Sequence, residues 1–418
     1  MKSINAEIIT IGDEILYGQI LDTNTHWLSI ELDRIGVRIV RKTTIGDQEG
    51  QILQVFSEAE SRADIILITG GLGPTNDDLT KPTLSKYFNS PLKINDQALK
   101  ELTELFQERG KELTALNRKQ AELPECCKMI PNKNGTAAGM WFEKDGKIFV
   151  SMPGVPHEMK AMMESSILPA LKKQFQTPVI FHKMIKTVGI GESWLSDLIK
   201  NWENNLPANI KLAYLPSIGH VKLRLTASGN SLELLKQEVD EQIKLLLPFA
   251  EKYIYGYDNT TLEEAVGQLL KNTNQTIATA ESCTGGAIAK QITSVPGSSA
   301  YFRGGIIPYH NDIKEEILGV EKSTLISFGA VSEETVKEMA INVRKLLNAS
   351  IGIASSGIAG PSGGTKEKPV GTVWVAYSSE GTTFAKKLML GNDRTVNIEQ
   401  TIIAVLNLVR LQLSNVVI

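Results

Sequence analysis

Residues 63–78 read ADIILITGGLGPTNDD, a nearly unbroken apolar run that leads into three glycines and two acids. A short apolar run of this kind is typical of a parallel strand that is buried on both faces. In open parallel sheets, ligands bind beyond the carboxyl ends of the strands. The loop that begins at Gly70 therefore predicts a ligand site at the end of a central strand.

The flanking segments continue the same pattern. AEIITIG (6–12) and VRIVRKTTI (37–45) predict two further strands. Helices are predicted over residues 22–35, with Asp22 or Thr23 as the N-terminal cap, and over residues 51–62. Strands that alternate with helices in this way predict a parallel sheet crossed over by helices.

The pattern of predicted strands and helices changes near residue 175 and again near residue 258. NIKLAYLPSIGHVKLRLTASG (209–229) predicts an antiparallel hairpin, and LELLKQEVDEQIKLLLPF (232–249) predicts a strong amphipathic helix. A further strand–helix region begins at Leu262, where Thr260 or Thr261 can cap a helix. We therefore expect three domains, over residues 1–172, 173–257 and 258–418.

Composition narrows the function classes. The 418 residues are 42% apolar and 22% charged, with a net charge of −3, so nucleic acid is not the expected partner. No run of 18 apolar residues predicts a membrane span, and the apolar start of the chain is interrupted too early for a signal peptide. The three cysteines form neither a disulfide framework nor a C-x-x-C motif. We expect a cytoplasmic protein.

Three loops of the last region carry groups that suit nucleophilic chemistry. TIATAESCTGG (276–286) predicts a strand, a glycine turn with Ser282, and a helix whose free N–H groups can bind an anion or oxyanion. The next loop brings Tyr309 and Lys314, either of which can activate a serine. A loop over residues 355–365 can cover a ligand. The alternative is that Ser282 and Thr284 only cap the helix and that Lys314 is a solvated charge.

AESCTGG, PGSSAYFRGG, YHNDIK, GIAGPSGGTKEKPVGTV and GNDR together resemble the C-terminal domain of the CinA (competence/damage-inducible) family. The resemblance implies metal-free hydrolysis of nicotinamide mononucleotide to nicotinate mononucleotide and ammonia. It also implies Ser282 as the nucleophile, Tyr309 and Lys314 as its activating groups, and Arg394 as the phosphate ligand. Other implied substrate-binding residues are Thr284, Gly285, Gly286, Asn311, Gly360 and Thr365. The chain departs from the family at His310, where serine is usual, and at Asn397, near which the family has a second arginine.

Four acids cluster around the first glycine loop. Asp13 and Glu14 follow the first strand, and Asp77 and Asp78 follow the third. Adjacent carboxylates repel one another unless they share a cation, and a divalent ion can hold a diphosphate at the same time. The alternative is that Asp77 and Asp78 only cap a helix.

GDEILYGQILDTNTHWL, TGGLGPTNDDLT, NGTAAG and MPGVPHEM resemble the molybdopterin-binding fold as used in the CinA N-terminal domain. The resemblance implies a divalent metal ion of the Mg, Mn or Co type and cleavage of ADP-ribose to AMP and ribose 5-phosphate. We expect Asp13, Glu14, Asp77 and Asp78 to hold the metal. The expected substrate-binding residues are Asn24, Gly70, Gly71, Gly73, Thr75, Gly154 and Glu158. Asn76 stands where the family often has proline.

The expected architecture is α/β: two three-layer α/β/α domains joined by a small α+β, KH-like middle domain. A competing hypothesis is that the N-terminal domain binds molybdopterin or a nucleotide without turnover, or that the chain is mainly a regulatory binding protein. In the middle domain, Gly189-Ile190-Gly191 is not the G-x-x-G clamp of nucleic-acid-binding KH modules. A linker or dimerisation role is therefore favoured, and a homodimer is expected.

Overall fold

The computed structural model describes residues 4–75 and 77–414, so Asn76 lies outside the described residues. The chain divides into two compact units. The first unit contains the residues up to Phe181 together with Ser228–Leu235, and the second contains His182–Ala227 and the chain from Lys236 onward. Within the described ranges, no helix is long and apolar enough to cross a membrane.

The N-terminal region has the predicted three-layer architecture. Its elements are β1 (Asn5–Ile11), α1 (Asp13–Leu16), α2 (Thr23–Arg34), β2 (Arg38–Ile45), α3 (Glu49–Arg62), β3 (Ile65–Thr69), α4 (Thr80–Tyr87), β4 (Leu92–Ile94), α5 (Asp96–Glu108), α6 (Ala115–Arg118), β5 (Glu122–Pro124), β6 (Lys128–Ile130), β7 (Gly139–Lys144), β8 (Lys147–Met152), α7 (Pro156–Met162) and α8 (Leu168–Gln174). The large sheet has the order β2-β1-β3-β8-β7-β6. The predicted cap is confirmed, since Asp22 accepts a hydrogen bond from the N–H of Thr25.

Apolar side chains of this sheet form a core on each face. On β1, Ile8 packs on one side with α2 and α7, while Ile9 packs on the other side with α3 and α5. All five residues of β3 are buried, as its apolar sequence predicts. The strand therefore has no solvent-facing side chain. The glycine loop follows directly after its carboxyl end, at the edge of the sheet.

The middle region is a four-stranded sheet of order β10-β11-β9-β12 with two helices. Its elements are β9 (Val179–Val188), α9 (Glu192–Asn204), β10 (Ile210–Ser217), β11 (His220–Gly229), α10 (Leu232–Ala250) and β12 (Ile254–Tyr257). Strands β10 and β11 pair antiparallel, which confirms the predicted hairpin. The amphipathic pattern of residues 232–249 is confirmed as α10.

The C-terminal region has a five-stranded sheet of order β14-β13-β15-β16-β17. Its elements are α11 (Leu262–Asn272), β13 (Ile277–Glu281), α12 (Ala287–Thr293), β14 (Phe302–Ile306), α13 (Asn311–Glu316), α14 (Lys322–Phe328), α15 (Glu333–Leu346), β15 (Ile351–Gly357), β16 (Thr372–Ser379), β17 (Thr382–Met389) and α16 (Arg394–Leu413). Helices α11, α12 and α16 cover one face and α15 covers the other. Thr261 caps α11 in a capping box.

Both large sheets end in antiparallel strands, where the sequence pattern predicts only parallel ones. β7 pairs antiparallel with β8, and β16 pairs antiparallel with β15 and β17. The connections explain the β7–β8 and β16–β17 pairs, because Asp145-Gly146 and Glu380-Gly381 are two-residue turns with a left-handed glycine. A two-residue turn joins antiparallel strands, whereas a parallel pair needs a long crossover.

The contact between α15 and β15 depends on a glycine. A Cβ atom at Gly352 would lie 2.0 Å from the carbonyl oxygen of Ala340. We expect Gly352→Ala to lower the free energy of unfolding by about 1–3 kcal/mol, because the helix must move away from the strand. Gly50 has open space around it, so Gly50→Ala should change that free energy by less than about 1 kcal/mol. Urea unfolding followed by circular dichroism measures both. Equal stability of Gly352→Ala and the wild type would contradict this account of the packing.

Candidate functional site

Ser282 lies directly after β13, at the carboxyl end of the C-terminal sheet. Its N–H donates to the carbonyl of Ser355 at 2.9 Å, which ties the turn to the neighbouring parallel strand β15. The Ser282 side chain is nearly buried, with 9% of the residue exposed. The hydroxyl is therefore held at the sheet edge by backbone pairing and does not lie on a free loop.

Glu281 changes the expected role of the helix that follows the turn. Its buried carboxylate accepts hydrogen bonds from the N–H groups of Gly286, Ile288 and Ala289 at 3.1, 2.9 and 2.7 Å. The expectation that these N–H groups are free to bind a ligand is therefore wrong. A carboxylate at a helix N-terminus is favoured by the helix dipole, and here that carboxylate belongs to the protein itself.

Two donors of the turn remain. Among the described residues, none accepts a hydrogen bond from the N–H of Cys283 or of Thr284. The Thr284 hydroxyl donates to Glu281 at 2.8 Å and lies 2.7 Å from the Ser355 hydroxyl, which fixes the turn from below. Two adjacent N–H groups that no other described residue accepts are candidate donors to an oxyanion beside the serine hydroxyl.

Lys314 is the residue that meets Ser282. It lies on α13 with 1% of its surface exposed, and its Nζ is 3.2 Å from the Ser282 Oγ. Nζ also donates to the carbonyls of Pro308 at 2.8 Å and Tyr309 at 3.4 Å. Burial lowers the pKa of Lys314 below its ordinary value of 10.5, because a charged ammonium loses its hydration there. Lys314 is thus not a solvated helix charge.

The Tyr309 side chain is directed elsewhere. It is 60% exposed, and its hydroxyl accepts a hydrogen bond from Arg394 at 3.2 Å. No hydrogen bond between its side chain and Ser282 is present among the described residues. Arg394, at the start of α16, also donates to the Gly360 carbonyl at 3.0 Å. The structure therefore groups Tyr309 with the exposed guanidinium and leaves Lys314 alone beside the serine.

The other predicted residues of this site form no hydrogen bond with the Ser282 or Lys314 side chains among the described residues. Gly285 and Gly286 have left-handed φ angles of 59° and 94°, which the sharp turn requires. Thr365 ends the loop over residues 355–365, here called the covering loop, and it is hydrogen-bonded to Lys368. Asn311 is the exposed first residue of α13. His310, where the family has serine, is exposed and paired with Asp312 at 2.6 Å.

Asn397, near which the family has a second arginine, occupies a buried position at the same end of α16. Its amide nitrogen donates to the carbonyls of Ala359 and Gly391, each at 2.9 Å. It therefore fastens the covering loop to the helix. With no second guanidinium there, Arg394 is the cation that the structure offers to a ligand in this region.

The N-terminal glycine loop forms the wall of a second concave site. A cavity of about 580 Å³ lies beyond the ends of β1 and β3. Its lining includes the predicted residues Glu14, Gly70, Gly71, Gly73, Asp77, Asp78, Gly154 and Glu158, with Asp47, Gln120 and Thr136 in addition. We call this cavity the acidic cup. Asp13, Asn24 and Thr75 do not line it.

Asp78 holds the loop together. Its carboxylate accepts from the N–H of Gly73 at 2.8 Å and from both the N–H and the hydroxyl of Thr75, at 3.0 and 2.5 Å. Asp77 is exposed at the rim. Asp78 therefore has much of its acceptor capacity in use, whereas Asp77 is more exposed, and the Thr75 side chain hydrogen-bonds to it and lowers the pKa of its carboxyl group.

Asp47 is a site residue that the sequence analysis missed. Burial raises the pKa of its carboxyl group, and the negative charges of Asp13, Glu14 and Asp78 raise it further. The backbone of Asp13 donates to it. The signal was present in the sequence, because Asp47 follows strand β2 as the glycine loop follows β3, and parallel strands end at the same edge.

Asn24 and Glu158 support the opposite wall of the cup. The Asn24 amide donates to the Gly154 carbonyl at 2.7 Å and to Thr69 at 3.2 Å, so it braces two strand ends beneath the cup. Glu158 accepts from Asn132 at 2.7 Å. A Cβ atom at Gly70 would lie 2.0 Å from the Ile11 carbonyl oxygen, which explains the need for glycine there.

The acids of the cup do not form a ready-made metal cage. Within residues 4–75 and 77–414, no group of three or more His, Cys, Asp or Glu side chains is arranged to hold an ion. Magnesium, however, is commonly bound by one or two carboxylates together with substrate phosphates. Asp47 and Glu14, whose charges repel one another, and the exposed Asp77 fit that mode of binding.

Comparison with known proteins covers nearly the whole chain. Residues 7–173 match the family described as "Probable molybdopterin binding domain", residues 182–256 match "Damage-inducible protein CinA KH domain", and residues 259–413 match "CinA C-terminal domain". A "CinA-like protein" of Cytophaga hutchinsonii is 54% identical over 413 residues, which are 99% of each chain. Another, of Flavobacterium psychrophilum, is 43% identical over 96% of each chain.

Solved structures of similar proteins cover a smaller part of the chain. The CinA protein of Thermoplasma acidophilum, whose function its title calls unknown, is 33% identical, with a TM-score of 0.37. The match covers 41% of this chain and 97% of that one.

Proposed function

Because the chain belongs to the CinA family, we propose that its C-terminal domain is a serine amidohydrolase that converts nicotinamide mononucleotide to nicotinate mononucleotide and ammonia. One observation carries the proposal: the buried Lys314 Nζ lies 3.2 Å from the Ser282 hydroxyl. A buried lysine, whose pKa burial lowers, can serve as the general base for a serine nucleophile.

The placement of these groups supports the following reaction. Ser282 Oγ attacks the carbonyl carbon of the nicotinamide amide while Lys314 Nζ takes the hydroxyl proton. The oxyanion that forms accepts hydrogen bonds from the N–H groups of Cys283 and Thr284, the unused donors of the turn. Lys314 then gives its proton to the leaving nitrogen, and the C–N bond breaks to release ammonia. Water hydrolyses the acyl-serine ester, with Lys314 again as the base.

Arg394 supplies the contact for the remote end of the substrate. Its side chain is exposed and uses two of its N–H groups on Gly360 and Tyr309, which leaves further donors for a phosphate. Tyr309 orients this guanidinium in our proposal. The two ends of a mononucleotide would thus meet separate groups, with the amide at Ser282 and the phosphate at Arg394.

We propose as a second function that the acidic cup hydrolyses ADP-ribose to AMP and ribose 5-phosphate with a divalent metal ion. The observation that favours it is the mutual repulsion of Asp47 with Glu14 and its neighbours at the end of the glycine loop. When bound, the metal would neutralise the carboxylates and the diphosphate together. Those backbone N–H groups of the glycine loop that are not already bonded to Asp78 or Met152 would hold the phosphates.

The serine proposal predicts a specific loss of turnover. We expect Ser282→Ala to reduce ammonia release by on the order of 10⁴-fold or more while nicotinamide mononucleotide still binds, because only the attacking group is removed. Arg394→Ala should chiefly raise KM, since it acts on a group remote from the reacting carbonyl. Ammonia release and calorimetric binding measure both. Ser299→Ala, at an exposed serine, is the matched control. Ser282→Ala activity above about a tenth of the wild type would exclude nucleophilic catalysis by Ser282.

The metal proposal predicts that the two activities separate. Asp47→Asn, or Asp77→Ala combined with Asp78→Ala, should reduce ADP-ribose cleavage by about 100-fold or more and leave ammonia release unchanged, because the sites share no residue. A chelator should do the same to the wild type. Asp145→Asn, at an exposed turn of the same domain, is the control. Undiminished cleavage in the variants would reject the metal site, and binding without cleavage by the wild type would favour a non-catalytic nucleotide-binding domain.

A further inference from the structure

A cavity of about 290 Å³ lies within the second compact unit and shares no lining residue with either proposed site. Strand β17 forms one wall, helix α16 forms a second, and two turns of the middle region, at Gly189 and Gly219, form a third. We call this space the α16 cavity. Its volume is close to the lower end of the range for small-molecule sites, so a compact ligand fits it.

Helix α16 faces the cavity with a side that the sheet does not use. The helix turns Val405 and Val409 into the core of the C-terminal region. The residues that it directs to the cavity recur at the three- and four-residue spacing of one helix face; they include Gln400, Ile403, Ala404, Asn407 and Leu411. All five are only partly buried. Apolar side chains that stay in contact with water in a concave surface mark an interaction site.

Strand β17 adds further apolar side chains and a charge. Successive side chains of a strand point to opposite faces. Phe384, Lys386 and Leu388 therefore share the face towards the cavity, whereas Lys387 lies on the other face. Among the described residues that line the cavity, Lys386 is the only charged one. A single positive charge thus stands beside an apolar surface.

Three nitrogen donors in the lining have no acceptor. Neither the Lys386 ammonium nor the Gln400 amide forms a hydrogen bond or an ion pair with any described residue. The Asn407 Oδ1 accepts from two nitrogens of Arg410 at 3.0 and 2.9 Å, which leaves Nδ2 without an acceptor in the described part of the chain. None of the three nitrogens is sealed from solvent, so a ligand that enters the cavity takes the place of their water.

These features together limit the chemistry of the ligand. An aliphatic chain loses contact with water when it packs against the leucine and isoleucine side chains. A wholly apolar ligand, however, would remove water from the donors without replacing its hydrogen bonds. A carboxylate replaces them, since it accepts charge-assisted hydrogen bonds from an ammonium. A phosphate carries more negative charge than one lysine neutralises.

We propose that the α16 cavity binds a small aliphatic monocarboxylate. Its carboxylate pairs with the Lys386 ammonium, and its chain lies against Leu388 and Ile403. The glycines shape the wall, because a Cβ atom at Gly189 would lie 2.7 Å from Asn407 Nδ2 and one at Gly219 would lie 2.9 Å from Ile403. The site is independent of both proposed activities, because it contains none of their residues.

The test measures binding to the full chain by isothermal titration calorimetry with octanoate, octanol and butyrate as probes. Octanol keeps the chain length without the charge, and butyrate keeps the charge on a shorter chain. The proteins are the wild type, Lys386→Met, Ala404→Phe, which fills the cavity, and Lys387→Met. Lys387→Met is the matched control, because it removes the same charge from the opposite face of β17. Thermal unfolding shows whether each variant is folded.

The wild type and Lys387→Met should bind octanoate about 10-fold more tightly than octanol, as expected for one charge-assisted hydrogen bond, and about 100-fold more tightly than butyrate. Lys386→Met should bind octanoate no better than octanol, and Ala404→Phe should bind neither.

Three results would overturn the inference. Octanoate binding that folded Ala404→Phe retains would place the ligand elsewhere on the protein. An unchanged preference for octanoate over octanol in Lys386→Met would exclude recognition of the carboxylate by this lysine. A wild type that binds no octanoate would exclude the ligand class, and loss of self-association in Ala404→Phe, measured by sedimentation, would then assign the cavity to contact with a second copy of the chain.

Discussion

The burial of the Lys314 amine beside Ser282 is the constraint on which the C-terminal site depends. A charged ammonium with 1% exposure is costly, and the carbonyls of Pro308 and Tyr309 compensate it only in part. The lowering of the Lys314 pKa is a consequence of the burial that the packing of α13 imposes. The serine is held equally firmly, because its N–H pairs with β15. The fold thereby places an amine with a lowered pKa beside a serine hydroxyl.

Both candidate sites lie at a glycine loop that follows a strand, but one leaves N–H donors unused and the other brings carboxylates together. In the C-terminal domain, Glu281 fills the N-terminus of α12 and leaves only two N–H groups of the turn unused. This arrangement suits the small charge of one oxyanion. In the N-terminal cup, Asp78 closes the loop while Asp47 and Glu14 remain in mutual repulsion. The proposed metal-bound diphosphate would bring a cation to these acids.

The sequence predicted the elements well wherever the information was local. Apolar runs located β3, spacing located α10, and capping residues located the starts of α2 and α11. The antiparallel ends of both sheets were also encoded, in the turns at Asp145-Gly146 and Glu380-Gly381, but the overall alternation of strands and helices masked them. Ser282 and Lys314 were predicted as a pair, and they lie together.

The features that the sequence did not predict are side-chain orientations, which depend on packing between elements that are distant in sequence. Glu281 could equally have faced solvent, and only the packing of α12 shows that it caps that helix. Tyr309 was expected beside Ser282, yet its ring is exposed and its hydroxyl meets Arg394, contributed by a helix 85 residues later.

The central claim, that burial makes Lys314 the base for Ser282, is tested most directly by the pH dependence of kcat/KM for ammonia release between about pH 6 and 10. The neutral amine is the active form, so the rate should rise with pH and level off above a pKa clearly below the ordinary lysine value of 10.5. A rate that is flat across this range, or that still rises at its upper end as for an unperturbed lysine, would contradict the account.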